Sequence, residues 1–337
     1  MLHSFAQRLA TIFGSAMILL FFSEYFFLNE GPVEAVIVGL DDPLGLILMW
    51  VEFTLYYALF TYLFLIVLQQ FEVKTRLNLL LVGAIFGWAT EALVVPLVYE
   101  GVPISFIFPS ISWHALVDVL LGWYLVRRLM RFNQPLLSAL MFVTLGVIWG
   151  FWATWFWVDP NLSPILPVDF TAFAIVTSGF LILGMLLLDY AGTNNFRASR
   201  WEIGIILTIT SILFVMMALP FLPFSLALPP VIALTVFALH RSKANDYPQN
   251  HLQILHTQRP VWWHYLLAVL TPLTASLVYP SLYENQLGVP TEDITVLLLL
   301  AGWIAFVVAL IHPFTNQKST DNTQERSNEK SSNELSD

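Results

Sequence analysis

Residues 111–132 read ISWHALVDVLLGWYLVRRLMRF. From Ile111 to Val126 the run is apolar except for His114 and Asp118, and it closes on Arg127, Arg128 and Arg131. An apolar stretch ended by a block of cations has the pattern of a membrane helix that stops on the cytoplasmic side, where Lys and Arg are retained. His114 and Asp118, four residues apart, share one face of that helix. Two polar side chains in hydrocarbon need a reason, and the rest of the chain supplies the frame in which to find it.

The same pattern recurs along the whole sequence. Hydrophobic residues make up 58% of the 337 positions and charged ones 11%, where a soluble domain carries about 25% charged residues. The mean hydropathy is +0.74. Runs of about 20 apolar residues predict an all-α polytopic helix bundle with ten spans, at residues 9–28, 45–69, 78–99, 112–130, 136–158, 168–188, 201–219, 223–240, 261–281 and 294–313. The first run lacks a small-residue cleavage site and approaches full membrane length, so it reads as an uncleaved helix. Residues 201–240 would reach about 60 Å as one helix, and the prolines at 220 and 223 divide them into two spans. The membrane-embedded part is residues 1–315; the polar, mixed-charge segment 316–337 reads as a disordered cytoplasmic tail.

The cations fix the expected orientation. With the N-terminus inside, the cytoplasmic segments hold Arg8; Lys74 and Arg76; Arg127, Arg128 and Arg131; Arg197 and Arg200; Arg241, Lys243 and Arg259; Lys318, Arg326 and Lys330. Together these are all 14 Lys and Arg of the chain. The opposite loops carry only acids: Glu30, Glu34, Asp41, Asp42, Glu100, Asp159, Glu284, Glu292 and Asp293. Both termini are therefore expected in the cytoplasm of a multi-pass cell-membrane protein whose first partner is the lipid bilayer. A basic nucleic-acid footprint is absent, and with no cysteine in the chain, thiol nucleophiles and thiolate metal sites are excluded.

A carboxylate at mid-helix costs about 2.5–3.5 kcal/mol on insertion scales, so such groups usually face a bundle interior and mark function. Glu24, Glu52, Glu91 and Asp118 qualify, with His114 beside them, and all five fall in the outer half of the first four spans. Glu91 follows a Gly83/Gly87 face suited to close helix approach. Pro96 removes the hydrogen bond to the carbonyl of Ala92 just beyond it. Glu52 shares a face with Tyr56. Glu24, near its helix end, reads as an acid that snorkels to the surface. The segment 101–111 is apolar enough to dip back into the membrane as a lid. Trp149, Trp152, Trp155 and Trp157 read as an aromatic belt or, more sharply, as a stacking wall for a lipid or sugar.

Glu91, His114, Asp118 and Glu52 are thus the candidate catalytic set. A buried Glu serves as a general base. Glu91, His114 and Asp118 also offer the oxygen and nitrogen donors that suit a divalent metal, zinc or manganese. The stretches FGWATEALVVPLVY, residues 86–99, and WHALVD, residues 113–118, resemble the second and third motifs of the CPBP and PrsW-type intramembrane peptidases. Those families place a Glu or His four residues after a Phe in one helix, and His-x-x-x-Asn or Asp in a later one. Glu91 matches the acid of the middle motif, with Gly87 at the Phe position between Phe86 and Trp88. His114 and Asp118 match the last motif, and Glu52 stands alone where the families carry a Glu pair. The resemblance implies an intramembrane hydrolase acting on a membrane-embedded peptide or lipid. The residues themselves leave two other readings open: a proton- or cation-coupled transporter, and a non-catalytic membrane binding module.

Overall fold

The computed structural model describes residues 2–157, 162–191, 196–243 and 250–334. The outer-loop acid Asp159 lies outside them, as do the side chains of His3, His256, Lys318, Arg326 and Lys330. Every regular element among the described residues is helical, and ten helices have the length and composition to cross a membrane. They are α1 (Phe5–Phe26), α2 (Pro43–Gln70), α3 (Arg76–Leu93), α4 (Ile104–Met130), α5 (Pro135–Trp157), α6 (Pro167–Ala191), α7 (Arg200–Phe221), α8 (Phe224–Lys243), α9 (Trp263–Glu284) and α10 (Thr291–Thr315). The protein is an all-α, multi-pass membrane protein. An even number of spans leaves one end of the bundle with the cations of the α2–α3, α4–α5 and α6–α7 connections. Among the described residues, the connections at the opposite end carry acids and no Lys or Arg.

Local chemistry sets the helix boundaries. Asp42 caps α2 by accepting from the Gly45 N–H at 3.1 Å, ahead of Pro43, and Thr75 caps α3 by accepting from the Asn78 N–H at 3.1 Å. Ser199 and Glu202 form a reciprocal capping box at the start of α7. Helix α3 stops at Leu93 instead of running on to 99; a separate turn, Leu97–Glu100, follows. Pro96 has no N–H to give, and its ring disfavours helical backbone at Val95. Segment 101–111 contains a short 3₁₀ turn, Ile104–Phe106, pinned by Trp88 Nε1–H donating to the Phe106 carbonyl at 3.0 Å and Ser105 Oγ donating to the Val98 carbonyl at 2.6 Å. The helix of α10 continues through the polar segment to Glu334.

Helices α1 and α3 form the centre, with 83% and 89% of their apolar windows buried, whereas α7 and α10 bury 11% and 17% and present their sides to lipid. Close approach at glycine makes the central contacts. A Cβ on Gly14 of α1 would lie 2.6 Å from the Leu188 backbone of α6, and one on Gly146 of α5 would lie 2.4 Å from the Thr271 carbonyl of α9. With hydrocarbon on both sides of the comparison, such backbone proximity and its dispersion contacts hold helices together better than greasiness does.

Candidate functional site

The last turn of α1 is π-wound over Phe21–Phe26, which turns backbone carbonyls out of the helical ladder. Four indoles take them up. Trp113 donates to the Phe22 carbonyl at 3.0 Å, Trp149 to Tyr25 at 3.1 Å, Trp152 to Phe27 at 2.7 Å and Trp155 to Leu28 at 3.3 Å. Trp149 is fully buried. Three of the four α5 tryptophans expected as a belt or stacking wall, Trp149, Trp152 and Trp155, therefore act as side-chain caps for a distorted helix end, because a carbonyl without a partner is costly in an apolar interior, while Trp157 donates to Tyr279 OH. Held this way, the turn aims Ser23 and Glu24 at α2 and α4.

Helix α4 is also π-wound, over Ser110–Val126, with the Ser112 N–H reaching back to the Ile107 carbonyl at 2.8 Å and the His114 N–H to the Pro109 carbonyl at 3.2 Å. Such winding is uncommon and often marks functional sites. It sets His114 and Asp118 against α3, where Gly87 leaves so little space that a Cβ would sit 1.9 Å from the Ser110 carbonyl oxygen. Glu91, one turn along α3, meets the imidazole directly.

His114 is the hub. Its Nε2 lies 2.7 Å from Glu91 Oε1 and its Nδ1 2.7 Å from Asp118 Oδ2; Ser23 Oγ approaches the same Nδ1 at 3.3 Å. The Ser23 and Tyr57 hydroxyls are 2.6 Å apart. Tyr57 donates to Glu24 Oε1, whose other oxygen accepts from Asn29 Nδ2 at 2.7 Å. His114, Asp118 and Glu91 are buried at 4%, 0% and 9% exposure, and one oxygen of each acid, Glu91 Oε2 and Asp118 Oδ1, is enclosed with no hydrogen-bond partner.

Of the four expected catalytic residues, three come together: Glu91, His114 and Asp118. Glu52 does not join them; its side chain is exposed on α2. Around the helix Glu52 lies about 140° and Tyr56 about 100° from Tyr57, so the tyrosine that reaches the site is the next one along. Ser23, Glu24 and Tyr57 stand outside the expected set, and Glu24 turns inward to Tyr57 instead of snorkelling. The signal for them is Ser23 beside Glu24 in an otherwise aromatic run. Glu91, His114 and Asp118, the expected metal set, meet around the imidazole ring. Among the described residues no three or more His, Asp or Glu side chains are arranged to hold a metal ion. A metal needs donor atoms converging on one point, and here the two carboxylates occupy opposite edges of the imidazole.

A second polar cluster lies at the cationic end. Arg127 and Arg131 of α4 are buried against Asp189 of α6, and Asp189 Oδ2 also accepts from Tyr265 OH on α9 at 2.6 Å. Arg131 further donates to the Gln258 carbonyl at 3.0 Å and the Arg127 carbonyl at 2.8 Å, and the Arg127 guanidinium lies over the Trp123 ring at 5.1 Å. The sequence-derived sixth span ends one residue short of Asp189, which leaves this acid out of the intramembrane candidates. Its placement among the cations that flank the spans at that end is the available clue.

No family model matches this chain, and no curated protein or solved structure was found to be similar to it.

Proposed function

We propose that this membrane protein is an intramembrane hydrolase in which Glu91 and His114 form the acid–base pair and Asp118 orients the imidazole. One observation carries the reading. Glu91 Oε1 is held by His114 while Oε2, enclosed and unpartnered, is free to hold a water. A buried carboxylate oxygen left without a donor is destabilising by roughly 1–3 kcal/mol or more, a cost that a site tolerates where a reactant completes the shell. In the reaction, Glu91 takes a proton from the bound water as its oxygen attacks the scissile carbonyl. His114, charged at the start, then gives a proton to the leaving group and becomes neutral. The proton on Glu91 crosses the 2.7 Å contact to Nε2 and restores the pair, and Asp118 on the opposite ring nitrogen favours the charged imidazole at the start and the end.

The distribution of cations supports the orientation in which this site opens to the exterior half of the cell membrane and both termini are cytoplasmic. The substrate is then a membrane-embedded peptide or lipid, as the resemblance to the CPBP and PrsW-type peptidases implies. A proton-coupled carrier would use the same titratable groups. Against it, the buried acid at the cationic end is closed off by two arginines.

The test compares membranes from cells producing the wild type or Glu91→Gln, incubated in oxygen-18 water. Peptide or lipid carboxyl ends that carry one oxygen-18 and appear with the wild type alone are the expected result. If no labelled ends form with the wild type, or if Glu91→Gln forms them equally, the assignment is wrong.

A further inference from the structure

A hydrolase that buries its imidazole must still exchange protons with water, and His114 is almost sealed. One route leads out of the pocket through side chains that the reaction above does not use. We propose that Ser23, Tyr57 and Glu24 are a proton path joining His114 to the acidic end of the bundle, with Tyr57 as the positioning residue on which the path depends. The inference rests on the proposed acid–base role of His114 and extends it.

The directions of the hydrogen bonds allow one continuous relay. An imidazolium N–H at Nδ1 points to Ser23 Oγ at 3.3 Å, alongside its bond to Asp118. The Ser23 and Tyr57 hydroxyls lie 2.6 Å apart, with the tyrosine able to donate to either Ser23 Oγ or Glu24; when its one hydrogen goes to the Glu24 carboxylate, the Ser23 hydroxyl is free to donate to the Tyr57 oxygen. When His114 releases the Nδ1 proton to Ser23, Ser23 hands its own to Tyr57 and Tyr57 hands its own to Glu24. The imidazole ends neutral, Glu24 ends protonated, and both hydroxyls regain the hydrogen count they began with. Glu24 is partly buried, and its second carboxylate oxygen accepts from Asn29, the residue before the exposed Glu30, so the path ends beside the solvent-facing acidic end. Three spans contribute to the path. Ser23 and Glu24 are positioned by the tryptophan-capped π-turn of α1 and Tyr57 by α2, which gives the distorted turn a chemical purpose besides its packing.

The experiment reads proton exchange and needs no substrate. The protein is labelled with nitrogen-15 histidine and reconstituted in nanodiscs. The rate at which the His114 ring N–H exchanges with water is measured by NMR, the signal being assigned by its loss in His114→Gln. Tyr57→Phe keeps the ring that packs on Phe60 and removes the hydroxyl, so exchange should slow by about tenfold or more, in the range that loss of a positioned proton-transfer group produces. Ser23→Ala should slow it comparably, and the double variant no further, because both interrupt one path. Tyr56→Phe, which removes a neighbouring hydroxyl outside the path, should leave the rate unchanged. An unchanged rate in a folded Tyr57→Phe protein, or equal slowing by Tyr56→Phe, overturns the proposal. Should Tyr57→Phe fail to fold, Ser23→Ala decides independently, and an unchanged rate there overturns the proposal as well. Failure here is separable from failure of the hydrolase reading, which is decided by oxygen-18 incorporation and not by exchange at His114.

Discussion

Gly87 offers the sharpest perturbation, because one methyl group there tests both the helix packing and the site. In Gly87→Ala the new Cβ would begin 1.9 Å from the Ser110 carbonyl oxygen, 2.7 Å from its carbon and 2.9 Å from His114 Cβ, whereas ordinary contact starts at 3.4 Å. Two of the three obstacles are backbone, so no rotamer change relieves them, and α3 and α4 must part by about 1.5 Å along that line. The Glu91–His114 bond at 2.7 Å would stretch to about 4.2 Å, beyond hydrogen-bonding range. Overpacking of this kind costs about 1–3 kcal/mol. Loss of a bond between charged groups adds roughly 1.5–3 kcal/mol, so a total of at least about 2 kcal/mol is expected. Gly179→Ala is the control: Gly179 is an exposed α6 position where a Cβ meets nothing within 4 Å, and the change should stabilise by about 0.4–1 kcal/mol through the unfolded chain. Thermal unfolding of both variants in the same detergent, with the His114 ring signals recorded beside it, is the assay. Equal melting of the two variants with an unchanged His114 spectrum would refute the close α3–α4 approach and the site geometry built on it.

At the cationic end, Asp189→Asn leaves Arg127 and Arg131 buried without their carboxylate. Breaking such a pair costs about 3–5 kcal/mol, visible as a large fall in melting temperature. Glu72→Gln, which breaks the exposed Lys243 pair, should leave melting almost unmoved. Trp152→Phe removes the donor to the Phe27 carbonyl and should cost about 1–3 kcal/mol; a neutral result in denaturant-induced unfolding would argue against the capping role of the indoles. Glu52→Gln should retain wild-type oxygen-18 incorporation in the assay that Glu91→Gln fails, since Glu52 is exposed on α2, outside the cluster.

The amino-acid order by itself determined the ten spans, the segregation of every cation from the acid-only loops, and the position of Glu91, His114 and Asp118 toward the acid-only ends of their helices. These are properties of single segments, set by how many apolar residues a bilayer requires and by where a proline or a cation interrupts them. Neighbours in space decided the rest. Glu52 and Tyr56 look as promising in sequence as Glu24 and Tyr57, and only the rotation of α2 against α1 and α4 separates exposed Glu52 and partly buried Tyr56 from the pair in the relay. The tryptophans of α5 read equally well as lipid anchors until the π-turn of α1 presents them with free carbonyls. The same holds for Asp189, which one segment shows as a span-end acid and three helices show as the partner of two buried arginines. Side-chain direction around a helix depends on what the other helices exclude, and that exclusion exists only once the bundle is assembled.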